Sequence, residues 1–384
     1  MGRFRQALDG AGLATIAEVK RRSPSAGELR ADADPAVLAP AFAAAGAAAI
    51  SILVDERFGG SLADLRAARA ATAAPLLAKG FFRTAADLRA VAEAGADAVL
   101  LLLRDLDDTC AAELMRVAAT LGLDPLVEVH DASELERAVA LDADPLGVNA
   151  RDLSTFRIDR RAQLELIAQA PADRVVVAES GVRSRAQAAE AELAGAAAVL
   201  VGSALMLAPN PSAQLRDLIA RPLVKVCGLT RQDDVDAAAD AGADLAGFIL
   251  AAESPRRAAA VLEVPETMLA VAVYVGEQGS DGADLAQVYG RVDGHRDRTA
   301  TLLWRDRPVA TVLDLPWGGE DEEHWDRAAR AGGRVVLAGG LGSENVRAAI
   351  ERVRPWAVDA SSRLETAPGV KDHDRVRAFV RAAR

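Results

Sequence analysis

Hydrophobic positions along the chain fall into short apolar runs separated by longer, Ala-rich stretches of helical period, and one phrase joins the two kinds of segment repeatedly. It reads Ala45-Gly46-Ala47-Ala48-Ala49-Ile50-Ser51-Ile52, then Ala94-Gly95-Ala96-Asp97-Ala98-Val99-Leu100-Leu101, then Ala194-Gly195-Ala196-Ala197-Ala198-Val199-Leu200-Val201, and again Ala241-Gly242-Ala243-Asp244-Leu245-Ala246-Gly247-Phe248. In each copy an amphipathic helix stops at a glycine, which accepts the left-handed conformation that ends helices, and an apolar strand begins within a few residues. Further strands are legible at Pro75 to Ala78, Leu123 to Val129, Pro145 to Asn149 and Val175 to Ser180. Counting from Ile16 to Val201 gives eight strands alternating with helices, the number that closes a (β/α)8 barrel. An open doubly wound sheet is the competitor, but no GxGxxG turn follows the first strand to favour it.

Near Arg221-Pro222 the pattern restarts with Leu223-Val224-Lys225-Val226-Cys227-Gly228. Strands follow at Ala246 to Leu250, Leu269 to Val275, Val309 to Leu313, Val335 to Ala338 and Ala357 to Ala360. The expected fold is α/β, two tandem (β/α)8 TIM barrels over residues 1–220 and 221–384, the second shortened or irregular around its fourth to sixth strands. Between Tyr289 and Asp314 there is too little chain for two helices, and the stretch from Thr299 to Val309 reads as a hairpin, which a strictly parallel barrel does not contain.

Composition narrows the function classes. The 384 residues are 51% hydrophobic with only 4% aromatics, so the helices are Ala-rich and pack closely against what they cover. A net charge of −11 opposes a nucleic-acid surface, which needs clustered Lys and Arg. The longest nearly apolar run, Ala43 to Val54, is shorter than the roughly 18 residues a membrane helix needs, and Arg3 and Arg5 do not lead into a secretory core. Two cysteines, Cys110 and Cys227, are too few for a disulfide framework and fit a reducing compartment. A soluble cytoplasmic protein is expected, with small-molecule substrates and no nucleic-acid, membrane or obligate protein partner.

Candidate chemistry sits at strand ends. Glu18 and Lys20 lie two residues apart on an otherwise apolar strand, so both project from one face, into a pocket if the strand is covered and into water if it is an edge. Lys79 follows Pro75-Leu76-Leu77-Ala78, Glu128 lies in Leu126-Val127-Glu128-Val129, Asn149 and Arg151 in Gly147-Val148-Asn149-Ala150-Arg151-Asp152, and Glu179 opens Glu179-Ser180-Gly181. Barrel enzymes place their chemistry at the C-terminal ends of strands, so these groups converge on one mouth. Mixed Lys and Glu there shift each other's proton affinities and yield a donor and an acceptor. Glycine and hydroxyl residues at the last two strands, Ser180-Gly181 and Gly202-Ser203, suit a phosphate ester held by backbone N–H groups.

Ile16-Ala17-Glu18-Val19-Lys20-Arg21-Arg22-Ser23-Pro24-Ser25, Lys79 before Phe81-Phe82, Asn149-Ala150-Arg151-Asp152-Leu153, Ala178-Glu179-Ser180-Gly181 and Gly202-Ser203-Ala204-Leu205-Met206 resemble indole-3-glycerol-phosphate synthase over about residues 1–220. The resemblance implies ring closure of 1-(o-carboxyphenylamino)-1-deoxyribulose 5-phosphate with loss of CO2 and water. It implies Lys79 as general acid for the condensation, Glu128 in the dehydration, and Lys20 holding a substrate anion and helping expel CO2. Glu18, Ser23, Asn149, Arg151, Glu179 and Ser180 would orient the substrate, and Gly181, Gly202 and Ser203 would bind phosphate. Where the family commonly has Lys-Asp-Phe, this chain has Lys79-Gly80-Phe81, which removes a carboxylate beside the acid. No cofactor is implied, and a decarboxylation driven by an adjacent electron-deficient carbon needs no metal.

In the second half Cys227 ends a strand, as Asp314 does after Val309 to Leu313. A free cysteine is commonly buried and inert, but a thiolate facing a carboxylic acid across a lumen makes a base and acid pair for moving a proton between carbon and oxygen. Lys225-Val226-Cys227-Gly228-Leu229-Thr230, Gly247-Phe248-Ile249-Leu250 with Ser254-Pro255-Arg256, Leu337-Ala338-Gly339-Gly340-Leu341, and Val358-Asp359-Ala360-Ser361-Ser362 resemble phosphoribosylanthranilate isomerase. The resemblance implies an Amadori rearrangement: Cys227 takes the C2 proton, Asp314 protonates the ring oxygen and Arg256 holds the anthranilate carboxylate. Gly339, Gly340, Ser361 and Ser362 would bind phosphate, and His295 would match a family histidine after the fourth strand. The loop Trp317-Gly318-Gly319-Glu320-Asp321-Glu322 is too acidic for direct phosphate contact. The isomerase product is the synthase substrate, so the chain is expected to run two consecutive steps of tryptophan synthesis. The alternatives are an active synthase with an isomerase-like scaffold, or a silent phosphosugar-binding module.

Overall fold

The computed structural model describes residues 2–10, 12–23, 27–152, 155–279, 281–292, 295–315 and 323–384. The chain separates into two compact units, residues 1–183 with 188–219, and residues 184–187 with 220–384.

In the first unit, strands β1 (Ala14–Val19), β2 (Ala49–Leu53), β3 (Leu76–Lys79), β4 (Ala98–Leu102), β5 (Asp124–Val129), β6 (Leu146–Asn149), β7 (Val176–Glu179) and β8 (Ala198–Val201) close a parallel barrel in chain order. β1 closes the ring by pairing Ile16 with Ala49 on one side and Ala14 with Ala198 on the other. Helices α1 (Arg3–Leu8), α2 (Pro35–Ala44), α3 (Leu62–Ala71), α4 (Ala85–Glu93), α5 (Asp108–Thr120), α6 (Ala132–Ala140), α7 (Arg160–Ile167), α8 (Arg185–Ala194), α9 (Ser203–Met206) and α10 (Pro211–Ile219) follow in sequence. The Ala-Gly-Ala phrase ends helices as expected. After α2, Gly46 adopts φ +103°, and the N–H of Ala47 reaches back to the carbonyl of Phe42 at 3.0 Å, closing the helix end before β2 begins.

Strand alternation sorts the barrel interior into two levels. Ile16, Leu77, Leu126, Val177 and Leu200 share one apolar cluster with Phe4 and Leu8 of α1. Two residues further along the same strands, on the same face, come Glu18, Lys79, Glu128 and Glu179. The apolar level fills the barrel, and the charged level stands at the C-terminal ends of the strands.

The second unit closes a barrel from β9 (Leu223–Cys227), β10 (Leu245–Ile249), β11 (Leu269–Val275), β12 (Leu285–Val292), β13 (His295–Trp304), β14 (Arg307–Leu313), β15 (Val335–Leu337) and β16 (Ala357–Ala360). Two barrels in tandem were expected. The hairpin that conflicts with a parallel ring is part of the wall: β13 runs antiparallel to both β12 and β14. The sequence pattern also lacks β12, whose Gln287, Gly290 and Arg291 interrupt an apolar run. Arg305 and Asp306, at φ +47° and +62°, make the two-residue turn between β13 and β14, a connection that suits strongly twisted neighbours. The turn at Arg305-Asp306 thus stands where a helical crossover would, and eight strands still close. Among the described residues no helix lies between β12 and β14, and β13 alternates buried Ala300, Leu302 and Trp304 with exposed Thr299 and Thr301. Helices follow β9 as α11 (Gln232–Asp240), β14 as α12 (His324–Arg330), β15 as α13 (Val346–Val353) and β16 as α14 (His373–Ala383). Among the described residues no helix is long and apolar enough to cross a membrane.

Candidate active sites

The mouth of the first barrel opens into a cavity of about 610 Å3 whose walls include Glu18, Lys20, Lys79, Glu128, Asn149, Arg151, Ser180, Gly181, Gly202 and Ser203. Glu179 lies just beneath, buried, and accepts a hydrogen bond from Lys79 Nζ. Lys79 Nζ is also 3.5 Å from Glu128 Oε2, and Lys20 Nζ is 2.7 Å from Glu18 Oε1. Asn149 Nδ2 donates to Glu128 Oε1 at 2.9 Å, while its own Oδ1 accepts the backbone N–H of Arg151. Ser23, buried in a two-residue ribbon opposite Gly27, is not among the described residues that line the cavity.

Two glycines make room for this cluster. A Cβ at Gly202 would fall 2.3 Å from Glu18 Oε1 and 3.0 Å from Lys20 Nζ, and one at Gly147 would fall 2.2 Å from Glu179 Oε1. Ser180 and Gly181 are consecutive left-handed residues at φ +69° and +80°, which turns the chain sharply at the end of β7.

The two buried carboxyls sit in different fields. Burial pushes Glu128 up, but Lys79, His130 and Asn149 together hold it down at about 2. Burial and the negative charge of Glu128 lift Glu179 to about 8 against the pull of Lys79. Lys79 is itself raised: burial acts to strip its proton, and Glu179, Glu128 and Glu18 overcome it. At neutral pH the site therefore presents a carboxylate, an ammonium and a protonated carboxyl side by side, which is the material of acid–base catalysis.

The second barrel has a cavity of about 540 Å3 whose walls include the expected Cys227, Arg256, Asp314, Gly339, Gly340, Ser361 and Ser362. Arg256 Nε donates to both carboxylate oxygens of Glu365, at 3.0 and 2.8 Å, and Lys371 Nζ donates to the same group at 2.7 Å. A Cβ at Gly247 would meet Cys227 Sγ at 2.7 Å, so this glycine gives the thiol its space.

Behind the thiol lies a network the sequence pattern did not single out. The buried Lys225 Nζ donates to Asp359 Oδ2 at 2.8 Å and to Gln287 Oε1 at 2.7 Å, and stands 3.5 Å from Cys227 Sγ. Gln287 Nε2 donates to Tyr289 Oη at 2.8 Å, and Tyr289 Oη donates to Asp314 Oδ2 at 2.9 Å. Arg296 Nη1 pairs with that same oxygen at 2.9 Å and its guanidinium stacks 4.2 Å from the centre of the Tyr289 ring. Burial pushes the Cys227 thiol up, partly offset by Lys225, and pushes Tyr289 well above the ordinary phenol range. Strand parity carries the missed signal: Lys225 precedes Cys227 by two, and Gln287 precedes Tyr289 by two, so each pair shares a face. His295 is exposed on β13, and the fourth strand, β12, faces the cavity with Gln287 and Tyr289. The loop from Trp317 to Glu322 lies outside the described residues. Among the described residues no group of three His, Cys, Asp or Glu side chains is arranged to hold a metal ion.

Two barrels, each with ionisable side chains gathered around a cavity at the C-terminal ends of its strands, define a tandem barrel enzyme of the acid–base class. The family model described as indole-3-glycerol phosphate synthase matches residues 3–218, and that described as N-(5'phosphoribosyl)anthranilate (PRA) isomerase matches residues 306–382. The indole-3-glycerol phosphate synthase of Nocardioides sp. is 51% identical over 207 residues, covering 54% of this chain and 80% of that protein. The tryptophan biosynthesis protein TrpCF of Yersinia pestis is 34% identical over 418 residues, covering 99% of this chain and 87% of that protein. The crystal structure of TrpF from Jonesia denitrificans is 29% identical, covers 43% of this chain and 97% of that one, and superposes with a TM-score of 0.35. The chain belongs to the indole-3-glycerol phosphate synthase family, in the bifunctional form that joins this synthase to a phosphoribosylanthranilate isomerase.

Proposed function

We propose that residues 1–220 form the synthase barrel and residues 221–384 the isomerase barrel, with the residue roles that follow. The chain carries out two consecutive steps of tryptophan biosynthesis: it isomerises N-(5-phosphoribosyl)anthranilate to 1-(o-carboxyphenylamino)-1-deoxyribulose 5-phosphate, then closes that product to indole-3-glycerol phosphate.

In the synthase barrel, Lys79 donates its proton to the substrate carbonyl oxygen as the aromatic carbon attacks. Lys20, paired with Glu18, holds the anionic substrate as CO2 leaves. Glu128, a carboxylate at neutral pH, accepts a proton in the dehydration. Asn149 and Glu179 keep Glu128 and Lys79 in place, Arg151 and Ser180 orient the substrate, and the backbone at Gly181, Gly202 and Ser203 takes its phosphate. In the isomerase barrel, Cys227 removes the C2 proton with Lys225 steadying the thiolate, and Asp314 delivers a proton to the ring oxygen. Arg256 faces the anthranilate carboxylate, and Gly339, Gly340, Ser361 and Ser362 face the phosphate.

The observation that carries this assignment is the burial of Lys79 between Glu128 and Glu179 on the wall of the larger cavity. Steady-state assays of the purified chain on each of the two substrates test it. Turnover of both is expected, and failure on either removes the corresponding half of the proposal.

A further inference from the structure

Glu128 uses its two oxygens unequally. Oε1 receives Asn149 Nδ2 at 2.9 Å and makes an ion-pair contact with His130 Nε2 at 3.1 Å, a ring nitrogen that is itself buried without an aligned hydrogen bond, whereas Oε2 is buried without a hydrogen-bond partner and faces Lys79 Nζ at 3.5 Å. An unpartnered carboxylate oxygen in a buried site costs free energy, and such costs persist where the group is used. His130 is two residues beyond Glu128, so it emerges on the same face at the top of β5. Its ring is fixed from the other side: Nδ1 is 3.0 Å from Glu134 Oε2, and the same oxygen accepts the backbone N–H of His130 at 2.8 Å. Glu134 belongs to the first turn of α6, which Asp131 caps through the N–H of Glu134. A helix start, a ring and a catalytic carboxylate are thus connected in a line.

We propose that His130 is a positioning residue of the synthase reaction, holding Oε1 of Glu128 so that Oε2 alone meets the proton of the substrate. The proposal rests on the synthase role assigned to Glu128 and adds to it a residue that touches no substrate itself. With a carboxylate at each ring nitrogen the imidazole is held as the imidazolium: burial acts against the charge, and Glu128 and Glu134 override it, lifting His130 to about 10. Its positive charge and its grip are separate contributions and can be separated by substitution.

The groups that face Glu128 are Lys79 from β3, Asn149 from β6, Glu179 from β7 and Glu18 from β1, and substitution of His130 leaves each of these side chains chemically unaltered. His130→Ala removes both charge and grip, whereas His130→Gln keeps an N–H donor near the position of Nε2 and removes the charge. Synthase kcat is expected to fall about 10-fold to 100-fold in the Ala variant through misplacement of the carboxylate, and to be largely restored in the Gln variant. The acid limb of kcat/KM is expected to move upward by about 1 pH unit or more in both, because a cation close to Glu128 is gone. Isomerase turnover of the same preparation reports the amount of folded enzyme. Synthase kcat in His130→Ala within about twofold of the parent, or equal losses in both variants with an unmoved acid limb, would overturn the proposal. Absence of synthase turnover in the parent chain would instead overturn the role of Glu128, so the two failures are distinguishable.

Discussion

Replacing Lys79 by Met removes the cation that lies among three buried carboxyls, and the consequence depends on pH in a way the geometry fixes. Glu128 keeps His130 and Asn149, so the uncompensated group is Glu179, whose carboxyl is buried beneath the cavity and holds its proton up to about 8 even with Lys79 beside it. A carboxyl whose pKa is raised in the folded state binds its proton more tightly there than in the unfolded chain. Stability is therefore lost as pH rises from the unfolded value towards the folded one. Without Lys79 that window extends above 8, and each further pH unit within it costs about 1.4 kcal/mol. At pH 6 the variant loses mainly a hydrogen bond to a neutral acid, about 2 kcal/mol; at pH 9 the cost approaches that of breaking a buried ion pair, about 4 kcal/mol. For a unit of this size the drop in Tm is about 6 °C at pH 6 and about 12 °C at pH 9. Calorimetry of the parent and Lys79→Met at the two pH values measures the difference, and the synthase assay is expected to show a loss of about 100-fold or more. An equal drop in Tm at both pH values, or synthase turnover within tenfold of the parent, would refute the reasoning.

Three further expectations follow from contacts at the two mouths. Gly202→Ala places a methyl group 2.3 Å from Glu18 Oε1 and must displace the Glu18–Lys20 pair, so synthase kcat/KM is expected to fall at least about 10-fold while isomerase turnover persists; retained synthase activity would show that the cluster yields freely. Tyr289→Phe removes a donor from Asp314 and leaves Gln287 Nε2 without its acceptor, for an expected loss of about 10-fold in isomerase kcat, and no loss would exclude the network from catalysis. Because burial holds the Cys227 thiol above its ordinary range, its alkylation by iodoacetamide is expected to be slow at pH 7 and to accelerate above pH 9, and rapid reaction at neutral pH would contradict that environment.

The first barrel was readable because its strands are covered on both faces and therefore appear as unbroken apolar runs, in which Glu18, Lys79, Glu128 and Glu179 are conspicuous. Parity then sends each charge inward, since its neighbour two residues back is a core residue. Ser23 fell on the other side of this logic: it follows the strand, in a short ribbon where alternation along β1 no longer applies. The second barrel hid more. β12 mixes core residues with Gln287, Gly290 and Arg291, and a bulge between Tyr289 and Arg291 shifts its register against β13, so neither a period-2 pattern nor a run identifies it. His295 does follow the fourth strand, but it opens β13 as an exposed residue; the cavity is met instead by Tyr289 from within β12 and by Arg296, one residue beyond His295, both of which reach Asp314. His130 lies beyond the apolar run of β5, where the sequence alone does not show that Glu134 stands on the far side of its ring.

The claim beneath all of this is that one chain holds two complete and separate acid–base sites. Its most direct test is a mixture of Lys79→Met and Cys227→Ala proteins supplied with N-(5-phosphoribosyl)anthranilate, with indole-3-glycerol phosphate as the readout. Each variant alone is expected to form none, and the mixture to form it steadily, because the first variant releases the intermediate that the second closes. A mixture as inert as its components, with both proteins folded, would contradict the account.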